Sequence, residues 1–177
     1  LVSIQDVFPN DRVKVVTLDM GKTPLGFVKA YLKCRGIIKK LKPDVIHSHM
    51  VHANIFARLL RLSIVFPRLI CTAHNTNEGG RRRMLAYRLT DSLADITTNV
   101  SQEGVDAFVQ AKAAKKDHII CMYNGIDTEK FVFSNEKRVS LRKQLQLNDD
   151  TPLLMAIGRL TFAKDYPNLL QAFSKLN

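Results

Sequence analysis

Apolar and polar positions along this chain follow two periods that succeed one another. Short runs of six or seven residues rich in apolar and β-branched side chains are typical of buried strands. Between them, apolar positions recur every three or four residues, which is typical of amphipathic helices. The runs predict strands over 13–18, 44–49, 68–74, 95–100, 118–123 and 152–157. The longer segments predict helices over about 25–42, 54–62, 84–93, 101–114, 135–145 and 166–176.

Strands that alternate with helices predict an α/β chain built from βαβ units around a doubly wound, Rossmann-like parallel sheet. A charged stretch with few apolar residues, from Thr128 to Thr151, interrupts this alternation and favours a link between two sheets. We therefore expect a partial first domain, a link with a charged helix, and the first strand and helix of a second domain. These parts are predicted over residues 1–124, 125–151 and 152–177. The opening Leu-Val-Ser-Ile is similar to the tail of a strand, and we expect the chain to be a fragment.

Charge adds an asymmetry to this picture. The formal net charge is +11, and residues 1–77 carry 12 basic against 4 acidic side chains. A basic first half indicates an anionic partner such as a phosphate group, a nucleic acid or an acidic membrane surface, although a basic face can also serve solubility alone. The three cysteines are isolated among apolar neighbours, which favours reduced thiols in a cytoplasmic protein.

The end of the last predicted strand carries a candidate phosphate site. Gly158 follows the strand and allows a ligand to approach the backbone closely. The guanidinium of Arg159 can bind two phosphate oxygens at once, and Lys164 adds a second positive charge. Ligands of open α/β sheets bind beyond the carboxyl ends of strands, which is where these residues are predicted. An ordinary strand-to-helix loop would have the same spacing.

Histidines end two of the predicted strands. His47, His49 and His52 have a spacing that metal ligands use, but no carboxylate follows them in the loop, which favours a structural or substrate-contacting role. His74 precedes a polar loop with two glycines, beginning at Asn75, and stands where active sites form in this architecture. A hydrogen-bonded loop histidine is the alternative.

Three consecutive arginines, Arg81, Arg82 and Arg83, stand at the predicted start of a helix. Positive charge opposes the helix dipole there, so an anion-docking site beside His74 would explain the cluster, as would a solvated charge run. The glycines never occur as G-x-G, so a dinucleotide-binding fingerprint is absent.

Four motifs, taken in order, resemble retaining glycosyltransferases of family 4, which have the two-domain GT-B fold. They are Pro43-Asp44-Val45-Ile46-His47-Ser48-His49, Thr72-Ala73-His74-Asn75, Tyr123-Asn124-Gly125-Ile126-Asp127 with Phe131, and Gly158-Arg159-Leu160 with Lys164. The resemblance covers nearly the whole chain and is nearest to the bacterial group that builds surface polysaccharides. One departure is Tyr123, where the family often has proline.

The resemblance implies roles for these residues. Arg159 and Lys164, with Gly158, would hold the diphosphate of the donor, and His74 would contact the transferred sugar. Asn124 and Gly125 would lie at the crossing into the second domain. With His49, Asn75 and the three arginines, they are candidate acceptor or cleft contacts. The family's glycine-rich loop and paired-glutamate motif would lie before Leu1 and beyond Asn177, so the fragment alone is not expected to form a working site.

The resemblance therefore implies transfer of a sugar from a nucleotide-diphosphate sugar to a glycan or glycolipid acceptor, with no metal or other cofactor. It implies a cytoplasmic location, with an anionic membrane surface as a further candidate partner. One alternative is a sugar-nucleotide epimerase on the GT-B fold, which would require carboxylates in the cleft. The other is a basic nucleic-acid-binding module, which would require exposed aromatics among its cations. Aromatics make up 7% of the chain and tryptophan is absent, so no nucleic-acid partner is expected.

Overall fold

Four strands form one parallel sheet in the order β1-β2-β3-β4. The computed structural model of the protein describes residues 13–21 and 23–176. The strands are β1 (Val45–His49), β2 (Arg68–Ala73), β3 (Ile96–Asn99) and β4 (Ile119–Cys121). The helices are α1 (Pro24–Leu41), α2 (Val51–Leu60), α3 (Arg81–Thr90), α4 (Gln102–Gln110), α5 (Asn135–Gln144) and α6 (Tyr166–Phe173), with short 3-10 turns over Asp91–Leu93, Lys116–His118 and Phe162–Lys164.

Hydroxyl side chains fix where three of the helices begin. The side chain of Thr23 accepts a hydrogen bond from the backbone N–H of Gly26, ahead of a proline in the first turn of α1. Ser101 accepts the same kind of bond in α4 at 3.1 Å, and Ser134 does so in α5 at 3.2 Å. Each bond satisfies one of the donors that the first turn of a helix leaves without a partner.

Strand register places the side chains of the sheet on two contrasting faces. Ser48, Cys71 and Thr97 occupy consecutive paired positions, and all three are buried. Along this face, β2 also contributes Leu69 and Ala73, both fully buried. The opposite face carries His49, paired in register with Thr72. Alternation along each strand therefore separates an apolar packing face from a face with polar groups.

Helices α2, α3 and α4 cover the apolar face and form the core. One buried cluster joins Tyr87 and Phe108, whose rings meet edge to face with centroids 5.1 Å apart, to Val105 and Ala73. A second cluster packs residues of α2 and the segment after it, including Leu60 and Phe66, against β2. Helix α1 packs onto this second cluster through Tyr31, Cys34 and Ile38.

A polar network crosses the same core. Asn54 is fully buried; its amide donates to the backbone oxygen of Thr72 at 2.9 Å and to the Tyr87 hydroxyl at 2.7 Å, and its side-chain oxygen accepts from Ser48 at 2.7 Å. Arg58, also fully buried, donates to the hydroxyl of Thr97 at 2.7 Å. These bonds tie α2 to four neighbouring elements: β1, β2, β3 and α3.

Two predicted strands are wrong. Residues 13–18 and 152–157 form no hydrogen-bonded pair with another strand in the described part of the chain. A strand exists only as part of a ladder, so an apolar run with no partner remains a single extended segment. The other predicted strands and helices are present, with ends shifted by a few residues; α2 and α3 begin earlier than predicted, at Val51 and Arg81.

The chain divides into two compact units. The first unit ends at Gly125 and the second begins at Ile126. In the second unit, Arg142 of α5 is buried and donates hydrogen bonds to the backbone oxygens of Asn148 and, at 2.6 Å, Thr151. These bonds fold the segment after α5 back onto that helix. No described helix is long and apolar enough to cross a membrane.

Candidate active site

The carboxyl ends of the parallel strands bring two predicted site histidines together. His49 is the last residue of β1, and His74 directly follows β2. Because β1 and β2 are parallel neighbours, both histidines lie at the same edge of the sheet. Nδ1 of His49 is 3.1 Å from Nε2 of His74, within hydrogen-bond distance. The structure thus joins residues that the sequence separates by 25 positions.

A third histidine extends this pair along the same face. The rings of His47 and His49 have centroids 4.2 Å apart, as expected for side chains two residues apart on one strand. Nε2 of His47 lies 2.7 Å from the hydroxyl of Thr72, which lies 2.7 Å from the hydroxyl of Thr98. A polar row therefore crosses three strands and fixes the orientation of His47.

The facing nitrogens of the histidine pair have complementary roles. If they share a hydrogen bond, only one of the two carries a hydrogen, so one ring donates and the other accepts. Partial burial, together with the charges that His47 and His74 would carry, lowers the pKa of His49 below its usual value. A neutral imidazole can both donate and accept a hydrogen bond, so it is suited to binding hydroxyl groups or to moving a proton.

The loop after His74 is held from inside by a carboxylate. Glu78 is 3% exposed, and its Oε1 accepts hydrogen bonds from the backbone N–H groups of His74 at 2.9 Å and Asn75 at 3.2 Å. The backbone oxygen of Glu78 accepts a bond from Nη1 of Arg83 at 2.8 Å. Glu78, Gly79 and Gly80 all have positive φ, so the chain curls around this carboxylate before α3 begins.

The end of β3 supports the same loop. Asn99 is 1% exposed, and its amide donates to the backbone oxygen of Asn75 at 3.1 Å. A Cβ atom on Gly104 of α4 would lie 2.2 Å from Oδ1 of Asn99, which is far too close. Glycine at position 104 therefore allows the asparagine to reach the loop.

The three arginines at the start of α3 separate into different environments. Arg83 turns back to the loop, as described above. Arg81 and Arg88 line a cleft between α3 and α4, and Arg82 is exposed outside it. The three arginines therefore have different neighbours, and their anion-docking role stays a prediction.

The histidines do not form a metal-binding group in the described residues. His52 lies on α2 and is exposed, whereas His47 and His49 are at the sheet edge. No set of three His, Cys, Asp or Glu side chains within 13–21 and 23–176 is arranged to hold a metal ion. The expectation that the protein needs no bound metal stays a prediction of the sequence.

The remaining predicted site residues are exposed. Asn124 and Gly125 end the first unit, in a segment without regular structure. In the second unit, Gly158 packs against Lys164: a Cβ at position 158 would lie 3.6 Å from Cγ of that lysine. The backbone oxygen of Arg159 accepts a bond from Thr161 at 2.8 Å, which turns the chain towards Lys164. The stem of Lys164 thus lies beside the backbone that directly precedes Arg159.

Sequence reasoning missed the residues that position the histidines. Glu78, Asn99, Thr72 and Thr98 received no role because their partners are distant in sequence or are backbone groups. The one available signal was an acidic residue inside a loop with two glycines, where a buried carboxylate can bind free N–H groups.

Comparisons with known proteins identify the family to which the chain is similar. Residues 5–130 match the family described as Glycosyltransferase Family 4. The chain is 25% identical to the "Uncharacterized glycosyltransferase MJ1607" of Methanocaldococcus jannaschii, an alignment that covers 80% of this chain and 39% of that protein. The chain therefore spans about two fifths of the length of this relative.

Solved structures with a similar fold include Anabaena Alr3699/HepE. Its complex with UDP and glucose has a TM-score of 0.54 and 19% identity, covering 72% of this chain and 35% of that one. Its complex with UDP-glucose has a TM-score of 0.51 and 21% identity, with 70% and 34% coverage. The expected α/β fold of GT-B type is confirmed.

Proposed function

This chain belongs to glycosyltransferase family 4, and we propose that the protein transfers a sugar from a nucleotide-diphosphate sugar to an acceptor with retention of anomeric configuration. The observation that carries the proposal is the histidine pair His49–His74 at the carboxyl edge of a parallel sheet, inside the region that matches the family. Ligands of such sheets bind at this edge. Binding of UDP and UDP-glucose by HepE favours a uridine diphosphate sugar as the first donor to test.

The donor's diphosphate would be bound by the second unit. As the bond between the anomeric carbon and the β-phosphate oxygen breaks, negative charge develops on the diphosphate. Arg159 and Lys164 would stabilise that charge, and Gly158 would allow close approach of the phosphates. Since two fixed cations can neutralise the leaving group, we propose that no metal or other cofactor is needed.

The first unit would bind the transferred sugar and the acceptor. His74 would hydrogen-bond the sugar's hydroxyls and help to exclude water while the acceptor oxygen forms the new bond to the anomeric carbon and its proton passes to the departing diphosphate. His49 would orient the His74 ring, since its Nδ1 lies 3.1 Å from Nε2 of His74. Asn75, Asn124 and Gly125, together with the three arginines, are the proposed acceptor and cleft contacts.

The acceptor would be a glycan or glycolipid of a surface polysaccharide, assembled at the cytoplasmic side of a membrane. The excess of basic residues in positions 1–77, 12 against 4 acidic, suits an anionic acceptor or an anionic membrane surface. We propose a cytoplasmic protein that binds this surface peripherally and does not bind nucleic acid.

The test is a donor assay on the full-length protein. Release of UDP from UDP-glucose and related donors is measured with and without a membrane glycolipid fraction, and the product linkage is assigned by NMR. Transfer with an α-linked donor giving an α-linked product supports the proposal. Conversion of the donor's sugar into another sugar, without transfer to an acceptor, would indicate an epimerase instead. Inactivity with every donor would overturn the proposal.

Variants localise the activity. Arg159→Ala should lower kcat/KM by about 10²–10³-fold, the size expected when one donor to a developing oxyanion is removed. The control, Lys143→Ala, removes an exposed cation of α5 in the same unit and should leave kcat/KM unchanged. Unchanged kcat/KM in Arg159→Ala would contradict the assignment of the diphosphate site.

A further inference from the structure

A cleft of about 470 Å³ between α3 and α4 has the chemistry of a binding site and lies outside the histidine edge. Its apolar part comes from Met84 and Leu85 of α3, which face Ala107 and Ala111 across the groove. The two alanines are one helical turn apart, and their small side chains give the groove its depth. Met84 is buried at the base, while Leu85 is about half exposed.

Two positive charges flank this apolar part. Arg81 and Arg88 are seven residues apart, so they lie on the same face of α3, two turns from each other. Both are exposed, and neither forms an ion pair or side-chain hydrogen bond with any described residue. The wall from α4 contributes only its two alanines among the lining residues. The cleft therefore presents two guanidinium groups beside a narrow apolar groove.

We infer that this cleft binds the phosphate-bearing end of a lipid-linked acceptor: a phosphate or diphosphate joined to a hydrocarbon chain. The two guanidinium groups would bind the anion from either side, since arginine matches phosphate geometry with paired hydrogen bonds. The first carbons of the chain would lie on Met84 and Leu85. A free inorganic anion would use only the arginines, and an uncharged lipid would use only the apolar groove.

The cleft is continuous with the loop that carries the candidate catalytic histidine. Thr76 and Asn77 also line it, and they follow His74 by two and three residues. A lipid-linked acceptor seated by its diphosphate would thus hold its sugar near this loop. This inference rests on the proposed glycosyl transfer, and it names the acceptor class and the surface that selects it.

The test is isothermal titration calorimetry of the full-length protein with farnesyl diphosphate below its critical micelle concentration. Farnesol and inorganic diphosphate serve as the uncharged and chain-free probes. We expect farnesyl diphosphate to bind at least about tenfold more tightly than either, because only it fills both parts of the cleft. Arg88→Gln should weaken its binding about tenfold, as expected when one charge-assisted hydrogen bond is lost.

Two further variants separate the cleft from a general charge effect. Lys39→Gln removes an exposed positive charge from α1, outside the cleft, and should change binding less than about twofold. Ala111→Phe fills the groove without changing charge; it should weaken farnesyl diphosphate binding and leave inorganic diphosphate binding as it was. Equal effects of Lys39→Gln and Arg88→Gln, or tight farnesyl diphosphate binding by Ala111→Phe, would overturn the inference.

Donor hydrolysis by the wild-type protein distinguishes this inference from the proposed function. If the protein releases UDP from its donor but binds farnesyl diphosphate no better than farnesol, the proposed function stands and the inference about the cleft is wrong. If the protein binds farnesyl diphosphate in the predicted pattern but never turns over a donor, the proposed function is wrong. The cleft is then a lipid-phosphate site that serves another activity.

Discussion

Glu78 is the side chain on which the position of His74 depends. Its buried carboxylate accepts the backbone N–H groups of His74 and Asn75, so Glu78→Leu leaves both donors without a partner. We expect the free energy of unfolding to fall by about 2–6 kcal/mol, because each of the two donors left unsatisfied costs about 1–3 kcal/mol. Urea denaturation of the wild type and the variant measures this difference.

Glu78→Gln tests the same residue as a positioning group. Glutamine keeps an oxygen that accepts the two bonds but loses the charge, so stability should fall less than in the leucine variant. In the full-length enzyme we expect kcat to fall more than KM rises, because the weaker bonds to a neutral oxygen hold His74 less firmly against the bound sugar. Glu103→Gln, an exposed change on α4, is the control. A kcat equal to that of the control would show that Glu78 only stabilises the fold.

The pKa of His49 offers a direct measurement at the histidine edge. Partial burial and the neighbouring His47 and His74 lower this pKa, so the folded protein favours the neutral ring. Because the pKa of His49 is lower in the folded protein than in the unfolded chain, where it is about 6.5, this residue contributes to the free energy of unfolding above pH 6.5. The contribution is lost as the pH falls through the pKa of the folded protein. NMR titration should show His49 protonating below pH 6.5. In His74→Gln its pKa should rise only in part, since burial is the largest cause; a pKa that falls or stays the same would contradict this account.

At the residue level, the sequence located the histidines and cations but not their supports. His74 and His49 were found because each ends an apolar run, and strand ends define the sites of α/β sheets. Glu78 binds backbone groups, which have no sequence signature of their own. Arg83 was grouped with its neighbours because adjacency in sequence resembles a cluster, whereas successive positions on a helix point about 100° apart.

At the level of elements, the contact between α4 and the end of β3 requires a residue without a side chain at position 104. Gly104→Ala would place a Cβ atom 2.2 Å from Asn99, which cannot move without releasing the backbone oxygen of Asn75. We expect a loss of about 1–3 kcal/mol, typical of overpacking, despite the better helix propensity of alanine. Thermal or urea unfolding measures it.

Gly36→Ala is the matched control for this change. Gly36 lies inside α1, and a Cβ there would meet no atom within 4 Å. The same substitution should therefore stabilise the chain by about 0.5–1 kcal/mol through helix propensity alone. Stabilisation by both variants would show that Asn99 adapts to the added methyl group.

The elements themselves were predictable wherever a neighbour completes them. Four apolar runs pair in register and are strands, and the helices between them follow the three-to-four residue period. Residues 13–18 and 152–157 have the same composition but no strand beside them in the described chain. An apolar pattern indicates that a segment tends to be buried. A strand also requires a partner strand, and no local pattern shows whether one lies beside it.

At the scale of the whole molecule, one helix of the first unit carries positive charge that no acidic residue of its own offsets. Helix α1 contains five basic residues and no acidic ones. Lys29 and Lys40 are 11 residues apart and therefore lie on one stripe of the helix. Leu25, Val28 and Leu32 lie beside that stripe and are each at least half exposed. Basic and apolar side chains on one exposed helical face are typical of surfaces that bind anionic lipid.

The peripheral membrane location that we propose can be tested on this stripe. The full-length protein should bind vesicles containing phosphatidylglycerol, and not pure phosphatidylcholine vesicles, in a sedimentation assay at 0.1 M salt. Binding should be largely lost near 1 M salt, where the Debye length falls from about 10 Å to about 3 Å.

The double variant Lys29→Gln/Lys40→Gln should bind roughly thirtyfold more weakly, at about 1 kcal/mol for each lysine near the surface. Lys137→Gln/Lys143→Gln removes the same charge from α5 and should bind as the wild type does; an equal loss in both double variants would mean that net charge, and not α1, causes the binding.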